Sequence, residues 1–273
     1  MYRLLLILLL MSFSTLSYAE KLDEVLCRIV YNAETRKAEN GKIAAETAYL
    51  DIGNEVTYFY NYDLFRYQFV RDSLRGKGYN DKQISDYNVD NKVQLPSMRF
   101  SVLRNYPSVG KTLYSHFIPN DYYYYEEDTP QIDWQLVSGD TTLLGYQCQK
   151  ATCKFRGRDW TVYYTMDIPI SEGPYKFCGL PGLVMYAADS KGDFTFSCIG
   201  IENPNEAEIV VDKSKWQKVE KKKLNKMLIE YFDDHIAWAL RGIGAESLLA
   251  KARETDARLR KKSLVPCLIE TFK

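Results

Sequence analysis

The chain has 273 residues with 36 basic and 36 acidic side chains, so it is formally neutral, and it contains only two histidines. That balance excludes the basic face on which sequence-independent nucleic-acid binding depends, and two histidines leave little for a histidine-built metal centre. The composition stands out in its 22 tyrosines, a residue whose apolar ring and polar tip suit binding surfaces.

Residues 1–19 have the form of a secretory signal peptide. Arg3 precedes the leucine-rich run LLLILLLM, and Ser17-Tyr18-Ala19 offers small residues before a cleavage at Glu20. The run is too short for a membrane span, and no later stretch approaches the ~20 apolar residues that one needs. No cysteine follows the cleavage position, which argues against a lipid anchor. Residues 20–273 are therefore predicted to be an exported chain, periplasmic, at the cell surface or secreted, and long enough for one domain.

Six cysteines in an exported chain point to disulfides: Cys27, Cys148, Cys153, Cys178, Cys198 and Cys267. Their connectivity is not readable. Cys148 and Cys153 lie five residues apart in one predicted strand, on opposite faces and roughly 16 Å from each other, too far to bond. Cys27 with Cys267 would tie the two ends of the chain, and Cys178 with Cys198 would tie a corner to its hairpin.

Residues 25–212 read as β-rich. VLCRIVYNAE, AYLDIG and the aromatic EVTYFYNYDLF alternate at a period near two. DKQISDYN, opened by Asn80 as an N-cap, predicts a short helix or turn. RFSVLRNY, TLYSHFI and DYYYYEE then resume strand character, separated by Pro107 to Gly110 and by Pro119-Asn120. Arg156 to Asp159 forms a hairpin turn, after which Trp160, Val162, Tyr164 and Met166 share one face. Residues 214–263 read as helical. Ser214 and Gln217 have the spacing of a capping box, Trp216, Val219, Leu224, Met227, Leu228, Tyr231 and Trp238 form an apolar stripe, and AESLLAKARETDARLRKK predicts a second helix. The whole predicts a single α+β domain: a curved, half-barrel-like antiparallel meander with C-terminal helices packed on one face.

The densest local statement is GPYKFCGLPGLV, residues 173–184. Leu180-Pro181-Gly182-Leu183 fits a type II turn, with proline presetting φ and glycine accepting a positive φ. With Gly179 these residues make a stiff corner, followed by the strand LVMYAA, a polar turn from Asp189 to Asp193, and the strand FTFSCIGIE. This stretch, with GYQCQKATCKFRGRDWTVYYTMDIPIS before it, resembles the signature of the GLPGLI family of exported bacterial envelope proteins. The likeness extends more loosely over most of residues 30–202. Val184 replaces the last isoleucine, Cys178 and Tyr163 depart from the pattern, and the resemblance implies an envelope location without an established reaction.

Catalytic constellations are scarce. HExxH, CxxC and GxSxG are absent. Ser115 and His116, like Glu126 and Glu127, are strand neighbours that point to opposite faces and share no cleft. Val109 to Thr112 lacks the first glycine of a P-loop. No cofactor or metal is predicted. Four consecutive tyrosines, Tyr122 to Tyr125, put two rings on each face of a strand, and with Arg156, Arg158 and Trp160 they are the candidate surface for a ligand or partner. The leading expectation is an exported, non-catalytic binding protein for a peptide, a lipid-like ligand or an outer-membrane protein. The alternatives are a hydrolase or thiol enzyme with its site near Cys178, Arg156 and Arg158, or a structural envelope component.

Overall fold

A computed structural model describes residues 19–37, 41–119, 121–234, 236–238, 249 and 268–270. Fourteen strands and three helices are defined within them. The strands are β1 (Glu20–Glu24), β2 (Cys27–Arg36), β3 (Ile43–Ile52), β4 (Thr57–Asn61), β5 (Phe100–Arg104), β6 (Lys111–Ile118), β7 (Asp121–Asp128), β8 (Gln135–Leu143), β9 (Tyr146–Phe155), β10 (Arg158–Thr165), β11 (Leu183–Asp189), β12 (Phe194–Glu202), β13 (Glu208–Val211) and β14 (Trp216–Lys218). The helices are α1 (Tyr62–Gly76), α2 (Asp81–Asp90) and α3 (Lys221–Asp233).

Twelve strands form one open sheet in the order β14-β7-β6-β5-β4-β3-β2-β12-β11-β10-β9-β8, and β1 pairs with β13 in a separate ribbon. Two meanders, β2 to β7 and β8 to β12, are joined edge to edge by the antiparallel pair β2 and β12. Only β14 runs parallel to its neighbour, β7. Tyr175 shows that the sheet curls. Its ring lies 5.8 Å from Phe100 on β5 and 6.0 Å from Phe155 on β9, although those strands are seven places apart, roughly 33 Å across a flat sheet. The α+β class and the meander follow the sequence pattern.

The inner face carries the main core, in which Tyr31, Phe59, Phe100, Trp160, Phe177 and Phe196 are all closed to solvent. The signature stretch and α3 fill this face. On the outer face, the β1–β13 ribbon packs Val25, Ile209 and Val211 against Leu103 and Leu113.

Several local expectations are corrected. The corner is not a type II turn, because the positive φ belongs to Gly179 (+90°) and not to Gly182. Gly182 is needed for space, since a Cβ there would overlap the backbone carbonyl of Thr165. Ser214 and Gln217 form no capping box. β14 occupies that stretch, α3 starts only at Lys221, and its N-cap Glu220 makes no side-chain cap bond. The capping box is at Asn80, where Asn80 Oδ1 accepts from Gln83 N and Gln83 Oε1 accepts from Asn80 N, both at 2.9 Å. EVTYFYNYDLF is divided: Asn61 ends β4 and caps α1 by accepting from Leu64 N. Met166 leaves the strand and is exposed, whereas Trp160, Val162 and Tyr164 share the buried face.

The disulfide expectation is also overturned. Cys27, Cys148, Cys153, Cys178 and Cys198 are free thiols, so Cys178 and Cys198 are not bonded. Cys267, the second predicted helix at 245–262 apart from the buried helical residue Leu249, and His235 lie outside the described residues.

Candidate functional site

The alternation of β7 decides where its aromatic run goes. Tyr123 and Tyr125 turn into the core, whereas Tyr122 and Tyr124 reach the outer face, where Trp216 of β14 stacks on Tyr122 at 5.2 Å. Glu126 likewise points outward to Lys218, and Glu127 inward. Trp160 is in the core, its indole donating to Phe155 O.

Below the corner, Tyr175, Lys176 and Phe177 enter the inner face and carry a lysine into the protein. Lys176 is fully buried, and among the described residues it is the one buried lysine. Its Nζ donates to Glu127 Oε1 at 2.6 Å and to the Tyr125 hydroxyl at 2.7 Å, and it contacts Glu270 Oε1. Tyr125 and Tyr175 donate to the two Glu270 oxygens at 2.7 and 2.6 Å. Arg156 at 2.8 Å and Lys221 at 2.6 Å hold the outer oxygen of Glu127. Rings of Tyr114, Tyr125 and Tyr175 lie 4.7 to 5.6 Å from the ammonium.

Burial pushes the Lys176 pKa down, against the pull of Glu270 and Glu127. For Glu270 burial acts upward most strongly, but the charge and hydrogen bond of Lys176, with the Tyr175 hydroxyl and Lys221, together hold the carboxyl below its usual range. Glu127 behaves alike, with burial opposed by Lys176, Lys221 and Arg156.

Arg158 anchors the same segment from the other side. Its guanidinium bonds Asp189 at 2.5 Å and Asp193 at 2.9 Å, and donates twice to Leu268 O at 3.0 and 2.6 Å. Beside the cluster is a cavity of about 30 Å³ between the sheet and α3, lined in part by Phe100, His116, Leu224 and Phe232. That volume has room for about two waters. Burial and Arg99 push the His116 pKa down to about 3.

The exposed chemistry lies on the helical insert between β4 and β5. α1 buries only Leu64 and Leu74, while Phe65 and Phe69, one turn apart, are 54% and 68% exposed. An aromatic ladder joins Phe65 to the outer face. Tyr58 stacks on Tyr60, Tyr49 on Tyr62, and Tyr62 on Phe65. Two clefts of about 420 and 610 Å³ flank residues 91–95, with Arg66, Tyr67, Arg71 and Lys92 in their walls.

Of the residues singled out from the sequence, Tyr125 and Arg156 meet in the buried cluster and Arg158 lies next to it. Tyr122 and Tyr124 sit under Trp216, and Trp160 is interior. Lys176, Glu270, Phe65 and Phe69 were not anticipated. A lysine flanked by two aromatics inside an apolar stretch was the available signal for Lys176. The i, i+4 spacing of Phe65 and Phe69 was the signal for a helix.

A family model described as "Protein of unknown function (Porph_ging)" matches residues 156–186, from the β9–β10 turn through the corner into β11. No curated protein matches the chain. Among solved structures, two crystal forms of PNGF-II, in space groups P21 and C2, align at 15% identity with TM-scores of 0.47 and 0.46. Each alignment covers 74% of this chain and 32% of that one, so this chain spans about a third of the length of the structures it matches.

Proposed function

We propose that the protein is an exported, non-catalytic interaction protein of the bacterial envelope, of the GLPGLI type, that docks an apolar segment of another envelope protein on α1. The observation that carries this reading is the exposed pair Phe65 and Phe69 on α1, with Phe65 at the end of a stacked tyrosine ladder. Large aromatic side chains gathered at an exposed patch mark binding surfaces, since leaving them in water forfeits their burial energy. The ladder supplies rigid rings that lose little entropy on binding. The leader-like residues 1–19 support the location, and among the described residues no helix is long and apolar enough to cross a membrane.

The reading is tested by placing a photo-reactive phenylalanine analogue at position 69 and, as a control, at the exposed position 154, and irradiating intact envelopes. A discrete adduct at 69 that is absent at 154 and lost in Phe65→Ser supports docking. No adduct beyond the control, or turnover on a broad substrate panel that is abolished by substitutions at Cys178, overturns it.

A further inference from the structure

The cluster under the corner brings an amine and a carboxyl into contact away from water. Lys176 and Glu270 are 0% and 7% exposed, and Nζ touches Oε1. Lys111 and Asp128 make an ion pair of 2.6 Å at the surface, where water solvates both charges and competes for every step of any reaction between them. The inner pair has no such competitor. Burying two opposite charges costs as much as their attraction returns, or more, and joining them covalently removes both charges at once.

We propose that Lys176 and Glu270 are joined by an isopeptide bond that the protein forms in itself once residues 268–270 seat against the corner. Glu127 is the base. Its Oε1 accepts a proton from Nζ at 2.6 Å, while Arg156 and Lys221 fix its other oxygen and so its orientation. Glu270, ionised at rest, takes up that proton first, and the freed nitrogen lone pair then attacks Cδ of the neutral acid. Tyr125 and Tyr175 already donate to the two carboxyl oxygens, where negative charge builds on the tetrahedral adduct, and they are placed to stabilise it.

The atoms balance without an oxidant, metal or cofactor. Of the three protons on the ammonium, one remains on the amide nitrogen. Two leave with one carboxyl oxygen as water, the second proton being returned by Glu127. The groups are held in contact by the fold, which substitutes for a concentration on the order of 10⁵–10⁸ M in solution. Phe155, Phe177 and Tyr114 wall the chamber, so apart from the small cavity beside Glu270 the bond is shielded from bulk water. The proposal is independent of the docking face on α1.

Intact mass measured on the full chain in denaturant tests it. The expected protein is one water lighter than its residues, and digestion yields a branched peptide carrying Lys176 and Glu270, with no tryptic cut after Lys176. Lys176→Arg and Glu270→Ala are expected at full residue mass. Glu127→Gln, which keeps the shape of the side chain, is expected to fold and to form the link roughly 10²–10⁴-fold more slowly. A wild-type chain at full mass with a tryptic cut after Lys176 overturns the proposal. So does a water loss that persists in Lys176→Arg, which would place the dehydration elsewhere.

Discussion

Arg158→Met separates the contributions that hold residues 268–270 to the sheet. Arg158 and Asp189 are 4% and 0% exposed, so the substitution leaves a buried carboxylate with its cation gone. Stranding one member of such a pair costs about 3–5 kcal/mol. Leu268 O loses both of its donors as well, which adds about 1 kcal/mol. At roughly 2–4 °C per kcal/mol for a chain of this size, the melting temperature should fall by ~10 °C or more. Adding Asp189→Asn tests the cause. Asn keeps the oxygen that accepts from Asp193 N at 2.7 Å and Phe194 N at 2.8 Å, but it carries no charge to strand. The double variant should therefore recover at least ~2 kcal/mol relative to the sum of the two singles. Urea unfolding midpoints at unchanged slope measure all four corners of the cycle. A single-variant loss below ~1 kcal/mol, or a double variant that simply adds the two losses, refutes the electrostatic account.

Three further outcomes follow from other parts of the structure. His116 is neutral in the folded chain, with its pKa held at about 3, and titrates near 6.5 when unfolded. The unfolded chain therefore binds the extra proton first, and the histidine's contribution to stability is lost as pH falls from about 6.5 toward 3. His116→Phe should flatten urea midpoints measured at pH 7 and pH 5, and an unchanged slope counts against the assignment. Gly182→Ala should prevent folding or lower the melting temperature sharply, because the new methyl meets the Thr165 carbonyl, whereas Gly145→Ala, at φ +85° with open space around it, should cost only ~1 kcal/mol. Thiol titration of unreduced protein in denaturant should find Cys27, Cys148, Cys153, Cys178 and Cys198 all reactive. In the folded protein Cys153 and Cys198 should react slowly, since burial pushes their pKa up to about 12 and 11. Any blocked pair among the five contradicts the free-thiol structure.

Residues whose pattern reports on their nearest neighbours were legible in the sequence. The period-two runs became β2 to β12, the Asn80 cap opened α2, and the alternation argument separated Tyr122 from Tyr123 and Glu126 from Glu127. What failed depended on distant contacts. Ser214 to Gln217 has the spacing of a helix start, but Trp216 finds the Tyr122 ring, and pairing with β7 displaces the helix to Lys221. Pro181-Gly182 has the chemistry of a type II turn, but the close approach of Thr165 assigns Gly182 another task. Six cysteines behind a leader-like start raise the expectation of bridges by compartment alone, yet the five described ones are free thiols. The Lys176 cluster was invisible for the same reason: Glu127 and Glu270 are 143 residues apart along the chain, and nothing local to either residue reports the other.

The placement of the signature stretch also bears on where binding takes place. A twelve-stranded open sheet that curls leaves an apolar inner face, and α3 covers part of it, over β5 to β7. Tyr175, Phe177 and Leu180 fill the remainder, packing on Phe100, Phe155 and Trp160. The aromatic side chains of this stretch are therefore consumed in closing the inner face, and only the tip at Gly179 and Pro181 is exposed. Lys176 follows from the same packing, since a lysine carried inward among these rings has to be met by carboxylates. Joining it to Glu270 would fix the filling in place without touching the outer face. On the docking proposal, recognition falls to side chains that the core does not require, and α1, which commits only Leu64 and Leu74 to the interior, has them in Phe65 and Phe69.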